Sequence, residues 1–271
     1  MKNGIVIPCY NEENRLKLSD YQAFIEQNPK YTLCFVNDGS SDNTLDVLKG
    51  FQKKLMSLHR GMETQLLIVD MPQNGGKAAA VRAGVNYLIE NTHMQNIGFV
   101  DADLATGFAD YMNLVKVLEE NNLETVIGSR KLESDMEMER SSFRQAASFA
   151  FGKFINGIIG LDIKDTQCGA KVFSRNIAKV IFRESFQSKW LFDVEIFIRI
   201  RNHFGKNQAM NFINEVALSK WEEVEGSKIT LKDSIQFPLQ LCQIAYDYNV
   251  KPQIATISNS INTVFRPSSV A

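Results

Sequence analysis

Residues 97–103 read Ile97-Gly98-Phe99-Val100-Asp101-Ala102-Asp103. Four apolar residues followed at once by two carboxylates describe a buried strand that ends in a polar turn. The same pattern recurs on either side. The apolar run Gly4–Cys9 leads into Tyr10-Asn11-Glu12, and Thr32–Val36 leads into Asn37-Asp38-Gly39-Ser40. Leu66–Val69 precedes the glycine turn Asn74-Gly75-Gly76-Lys77, and Thr125–Gly128 precedes Ser129-Arg130. Helical patterns fill the gaps. One opens at Asn11, Glu12 and Glu13 and runs to Gln27; one is N-capped among Ser40, Ser41 and Asp42 and carries Leu45, Leu48, Phe51 and Leu55; others span Lys77–Glu90 and 108–121. Strands alternating with helices predict an α/β fold, with a mostly parallel central sheet and helices on both faces. Ligands of such sheets bind beyond the carboxyl ends of the strands, where these polar turns fall.

The chain has 271 residues, 44% of them hydrophobic, enough for one domain with a sizeable core and a short appendage. We divide it into a body, 1–230, and an amphipathic C-terminal helix and tail, 231–271. Lys and Arg number 30 against 31 Asp and Glu, which argues against an overall electrostatic grip on nucleic acid. Cys9, Cys34, Cys168 and Cys242 form no C-x-x-C pair, so neither a zinc site nor a disulfide framework is expected, and a reducing cytoplasm fits. The opening MKNGIVIPCYNEE has no signal-peptide pattern. No charge-free apolar run reaches the ~18–20 residues of a membrane span.

The second half is less regular. Residues 131–141 read as a charged loop. The stretch 143–161 carries Phe143, Phe149, Phe151, Phe154, Ile155, Ile158 and Ile159 at helical spacing, which suits either a core helix or one lying in a bilayer interface. Residues 192–204 read as helix, 209–218 as strand, and 231–247 as a helix that Pro238 should kink or interrupt. The first strand lacks the G-x-G-x-x-G of dinucleotide binding. Gly75-Gly76-Lys77 is not a P-loop, because Ala78 follows the lysine and Met71 stands where the first glycine belongs.

Asp101 and Asp103 at a strand end suit a hard divalent ion, Mg²⁺ or Mn²⁺, which completes its shell with substrate phosphates and water. Such an ion would offset charge on a departing nucleoside diphosphate. Alone, the pair reads equally well as a helix N-cap and a surface acid. In combination it is more specific. Pro8-x-Tyr10-Asn11-Glu12, Asn37-Asp38-Gly39-Ser40-x-Asp42, Asn74-x-Gly76-Lys77 and Asp101-x-Asp103 occur in this order, each after a strand. Together they resemble the inverting family 2 glycosyltransferases of GT-A fold, whose first half is a Rossmann-like nucleotide-binding unit. Gly128-Ser129-Arg130, Asp165-Thr166-Gln167-Cys168-Gly169, Trp190-x-Phe192-Asp193-Val194-Glu195 and Trp221-x-x-Val224-x-Gly226-Ser227-Lys228 narrow the resemblance. They are similar to the dolichyl-phosphate β-glucosyltransferases and mannose synthases within that family.

The resemblance implies a nucleotide-sugar donor, UDP-glucose favoured over GDP-mannose, and a polyprenyl-phosphate acceptor in envelope or glycan biosynthesis. It implies that Pro8, Tyr10, Glu12, Asp38, Gly76, Lys77 and Asp101 surround the nucleotide and that Asp103 ligates the metal beside Asp101. Ser227 and Lys228 would close over the diphosphate. Arg130, Arg140, Arg144 and Ser148 would hold the acceptor phosphate, arginine matching it by its fork of donors. Asp165 is the candidate general base, with Asp193 and Glu195 as rival acids. A hydroxyl acceptor needs such a base. A phosphate acceptor is already an anion and needs positioning instead. Each residue also has a plainer reading: a packed strand-end tyrosine, a turn glycine, an acid capping a turn, solvated lysines and arginines. In place of the family's two acids before Gly39-Ser40, this chain has Asn37 and Asp38. A saccharide acceptor and a nucleotide-binding module without transferase activity remain the alternatives. The expected location is cytoplasmic, peripheral on the inner face of the membrane.

Overall fold

The computed structural model describes residues 1–58, 65–130, 152–219 and 231–251. In chain order the elements are β1 (Asn3–Cys9), α1 (Leu18–Gln27), β2 (Tyr31–Asp38), α2 (Thr44–Leu58), β3 (Leu66–Met71), α3 (Lys77–Asn91), β4 (Asn96–Phe99), α4 (Phe108–Glu120) and β5 (Thr125–Ser129). Residues 152–159 form α5. Then come β6 (Lys171–Ser174), α6 (Arg175–Ile181), α7 (Phe192–Phe204), β7 (Ile213–Ala217) and α8 (Leu231–Ala245), which ends in a π-helical turn over Tyr246–Val250.

The strands form one seven-stranded sheet in the order β3-β2-β1-β4-β6-β5-β7. β1 pairs in parallel with β2 and β4, β2 with β3, and β5 with β7. β6 alone runs backwards, antiparallel to β4 on one side and β5 on the other. Side chains on a strand alternate between faces, and the buried residues follow that rule. Ile5, Ile7, Leu33 and Phe35 pack with α1, α2 and α4. Val6, Cys34 and Val36 pack with α3, α5, α6, α7 and α8. Both faces are therefore covered, as the alternating sequence pattern predicts.

Two expectations need correction. The first helix begins at Leu18, not near Asn11. Glu12 and Glu13 are instead drawn to the β2–α2 loop and the start of α2: Glu12 N donates to Thr44 Oγ1 at 2.7 Å and Glu13 N to Asp42 Oδ2 at 3.2 Å. Residues 209–212 form a 3-10 turn, so the strand expected over 209–218 spans only Ile213–Ala217. Of the two outcomes expected at Pro238, a kink or an interruption, the second does not occur: α8 continues past it to Ala245. Leu241 and Ile244 of α8 are buried in the same core as α7, and this packing holds the helix together across the proline. β6 and α6 have no counterpart in the sequence reading. The loop 131–141, residues 143–151 of the aromatic stretch and the tail beyond 251 lie outside the described residues.

Candidate active site

The parallel register sets the site. Cys9 pairs with Asn37, and Asn37 with Asp70, so the strand-end turns of β1, β2 and β3 line one edge of the sheet. β4 ends at the same edge. Because β6 runs antiparallel, its start lies there too, with Lys171 opposite Phe99 and Ile127. That reversal brings the Asp165–Gly169 segment beside Asp101 and beside Arg130 at the end of β5.

Asp38 is buried and organises the glycine turn. Its Oδ1 accepts from Gly75 N at 2.7 Å and its Oδ2 from Gly76 N at 2.9 Å, while Asn74 Nδ2 reaches Oδ2 at 3.2 Å. Burial pushes the Asp38 carboxyl up, opposed by the two glycine N–H groups and by the charge of Lys189. Gly76 has φ +86°, and a Cβ there would lie 2.9 Å from Lys189 Cδ. The turn is thus closed over by a lysine stem as well as being left-handed, and both features suit glycine. Asn37 turns aside to Asp70, donating from Nδ2 to Oδ1 at 2.7 Å. Tyr10 lies exposed and Glu12 buried at the end of β1, just beyond Pro8 in its register with Val36.

Lys77, the first residue of α3, places Nζ 2.5 Å from Asp101 Oδ1. Burial works to lower its ammonium, but Asp101, Asp193 and Asp103 outweigh that and raise it. It therefore stays charged. Asp101 and Asp103 are both partly exposed. Their turn is tight: Leu104 N donates to Asp101 O at 3.1 Å and Ala105 N to Asp103 Oδ1 at 3.0 Å. Leu104 has φ +56°; holding such a residue in the left-handed region costs about 1–3 kcal/mol. A Cβ on Gly169 would fall 2.2 Å from Asp101 Oδ2, so this glycine is what lets the carboxylate lie there.

Asp165 is almost wholly buried. Arg130 grips it through Nε to Oδ2 and Nη2 to Oδ1, both 2.8 Å, and the Arg130 backbone N adds a third bond at 3.0 Å. These bonds raise the guanidinium above its ordinary value. Glu215 of β7 accepts from Asp165 N at 3.0 Å and fixes the segment from behind. The rival acids are equally engaged. Asp193 receives Lys171 Nζ at 2.6 Å, with both side chains buried. Burial raises the Asp193 carboxyl against the pull of Lys171 and Lys77. Glu195 Oε1 accepts from Gln187 N at 2.9 Å and Ser188 N at 3.1 Å, and its Oε2 accepts from Tyr248 Oη at 2.9 Å.

The structure therefore gathers Pro8, Tyr10, Glu12, Asp38, Gly76, Lys77, Asp101, Asp103, Asp165 and Arg130 along one edge. Arg140, Arg144, Ser148, Ser227 and Lys228 lie outside the described residues. Sequence reasoning missed Lys171, Lys189, Glu215 and Tyr21. Of these, only Lys171 carried a signal, as a charge inside an otherwise apolar KVF run. Among the described residues no group of three or more His, Cys, Asp or Glu is arranged to hold a metal. No helix among them is long and apolar enough to cross a membrane.

Comparison with known proteins agrees with this geometry. Residues 4–182 match the family Glycosyl transferase family 2. A dolichyl-phosphate beta-glucosyltransferase of Drosophila melanogaster is 35% identical over 241 residues, covering 84% of this chain and 69% of that protein. The Saccharomyces cerevisiae enzyme of the same name is 34% identical over 265 residues, covering 90% and 74%. Among solved structures, the glucosyl-3-phosphoglycerate synthase of Mycobacterium tuberculosis, in complex with Mn²⁺, uridine diphosphate and phosphoglyceric acid, superposes with a TM-score of 0.64 at 14% identity, covering 91% of this chain and 78% of that one. That likeness establishes the shared fold, the GT-A arrangement expected from the motifs. A sheet edge that assembles the ordered motifs, a family match over most of the chain and relatives above 30% identity lead to one conclusion: this chain belongs to the family 2 glycosyltransferases.

Proposed function

We propose that the enzyme transfers glucose with inversion from UDP-glucose to a polyprenyl phosphate. The donor and acceptor classes are suggested by the relatives named dolichyl-phosphate beta-glucosyltransferase. The observation that carries the acceptor choice is the bidentate hold of Arg130 on Asp165. A carboxylate with both oxygens bound to a guanidinium is a poor proton acceptor. Asp193 and Glu195 are buried and engaged as well. A saccharide hydroxyl would need a base from this set, whereas a phosphate anion attacks without one. Asp165 is then an orienting group that fixes Arg130 at the end of β5.

On this reading Asp38 shapes the glycine turn against which the nucleotide rests, and Pro8, Tyr10 and Glu12 border the same edge. Lys77 supplies a fixed positive charge next to Asp101. Asp101 and Asp103 offer partly exposed, hard oxygen donors, the chemistry that Mg²⁺ and Mn²⁺ prefer. Bound there, such an ion would neutralise charge accumulating on the UDP leaving group. Arg144 and Ser148 would extend the acceptor phosphate site, and Ser227 and Lys228 would cover the diphosphate. We take 1–230 as the catalytic unit; of the remainder, α8 contributes Leu241 and Ile244 to its core. A polyprenyl acceptor puts the reaction at a membrane surface, and we infer a peripheral enzyme on the cytoplasmic face.

The test is transfer from radiolabelled UDP-glucose to polyprenyl phosphate in detergent, with Mn²⁺, Mg²⁺ or a chelator, and with GDP-mannose as a parallel donor. Metal-dependent appearance of label in the organic phase supports the proposal. Transfer confined to a saccharide acceptor overturns the acceptor class, and transfer only from GDP-mannose overturns the donor.

A further inference from the structure

The turn Asp101-Ala102-Asp103-Leu104 holds a left-handed leucine. Such a conformation persists only where the surroundings over-determine it. Two buried donors supply that restraint from opposite faces of the sheet. From the face of α1, α2 and α4, Tyr21 Oη donates to Ala102 O at 2.9 Å, the carbonyl midway between the two acids. Tyr21 is wholly buried. Its ring is fixed edge-on against Phe35 at 4.9 Å and Phe108 at 5.5 Å, so its hydroxyl is delivered to one place. On the other face, Lys171 Nζ donates to Cys168 O at 2.6 Å and pairs with Asp193. This pins the start of β6, where the bare backbone of Gly169 abuts Asp101 Oδ2.

We infer that Tyr21 and Lys171 are positioning residues that fix the Asp101–Asp103 turn in its ligating shape before any ligand arrives. This rests on the reading of that turn as a cation site given above. Both side chains are wholly buried, and neither is part of the motifs that define the family resemblance. Their effect is preorganisation: carboxylates held in place by a rigid second layer bind without first being ordered.

Tyr21→Phe is the cleanest variant, since it removes one hydroxyl and keeps the packed ring. Lys171→Met combined with Asp193→Asn tests the other brace without stranding a buried charge. Two readouts separate positioning from general stability. Hydrogen exchange of the metal-free protein should show the Leu104 and Ala105 amides of Tyr21→Phe exchanging about five- to tenfold faster, the factor expected for one lost hydrogen bond. Amides within α1 should be unchanged. Calorimetry should show UDP affinity in Mn²⁺ falling by a similar factor, with affinity in chelator unaltered. Unchanged exchange at 104 and 105, or faster exchange spread evenly over α1 and the turn, overturns the inference. If wild-type UDP binding gains nothing from Mn²⁺, the cation reading fails, and the exchange measurement, which needs no metal, still decides the brace.

Discussion

Arg130 and Asp165 meet fork to fork, 35 residues apart in the chain, with Nε and Nη2 each 2.8 Å from a different carboxylate oxygen. The pair exists because β5 and the segment before β6 reach the same sheet edge from opposite directions. On the proposed reading Asp165 orients rather than deprotonates, and that reading has a measurable consequence.

Asp165→Asn keeps one oxygen for Arg130 but loses the charge. Transfer to polyprenyl phosphate should fall about tenfold, well short of the ~10²–10⁴-fold cost of removing a general base. Stability should fall by about 1.5–3 kcal/mol, the range for a hydrogen bond to a charged group. Steady-state kinetics and urea denaturation measure the two. A thousandfold loss of kcat in a well-folded variant would return the base to Asp165.

Gly169→Ala places a methyl group 2.2 Å from Asp101 Oδ2 and 2.7 Å from its Cγ. The obstacle is the end of a side chain, so the fold should survive and Asp101 should swing away from Lys77. A misplacement of about 1 Å in a catalytic constellation costs up to ~10²-fold. We expect kcat/KM to drop by that order with a nearly unchanged Tm, and a fully active variant would show that the position of Asp101 is immaterial.

Lys171→Met leaves Asp193 buried without its counter-charge. Removing one partner of a buried pair costs about 3–5 kcal/mol. The double variant with Asp193→Asn should recover part of that loss in urea melts. If the two changes were simply additive, the 2.6 Å contact would carry no coupling.

Glu195 bears on the pH dependence of stability. Burial raises its carboxyl above the ordinary 4.5, against the N–H groups of Ser188 and Gln187, Tyr248 and Arg199. The folded state therefore holds the proton more tightly than the unfolded state. This contribution to stability is present below pH 4.5 and is lost as pH rises through the raised folded value. Glu195→Gln should flatten that part of the profile and lose less stability than wild type between pH 4.5 and neutrality. Parallel profiles for the two proteins would place the pH dependence elsewhere.

The strands β1 to β5 were legible because each is a short apolar run that stops at a polar turn, and the parallel sheet follows from the helices between them. The turns that carry Asp38, Gly76, Lys77 and Asp101 were legible for the same reason. β6 was not. It has four residues, KVFS, and its charged Lys171 hides the apolar pattern. Only its pairing with Phe99 reveals why a lysine can be buried there: Asp193 and the Cys168 carbonyl receive it. The late start of α1 was illegible too, since the contacts that hold Glu12 and Glu13 come from Asp42 and from Thr44 at the start of α2.

Local order along the chain was enough to specify the fold class and the strand-end placement of the motifs, because periodicity and turn residues act over neighbouring positions. Which acid is engaged by which cation was settled only in three dimensions. Arg130 with Asp165, Lys171 with Asp193 and Tyr21 with Ala102 are joined across the sheet by one reversed strand and by helix packing, and no spacing between them encodes a hydrogen bond.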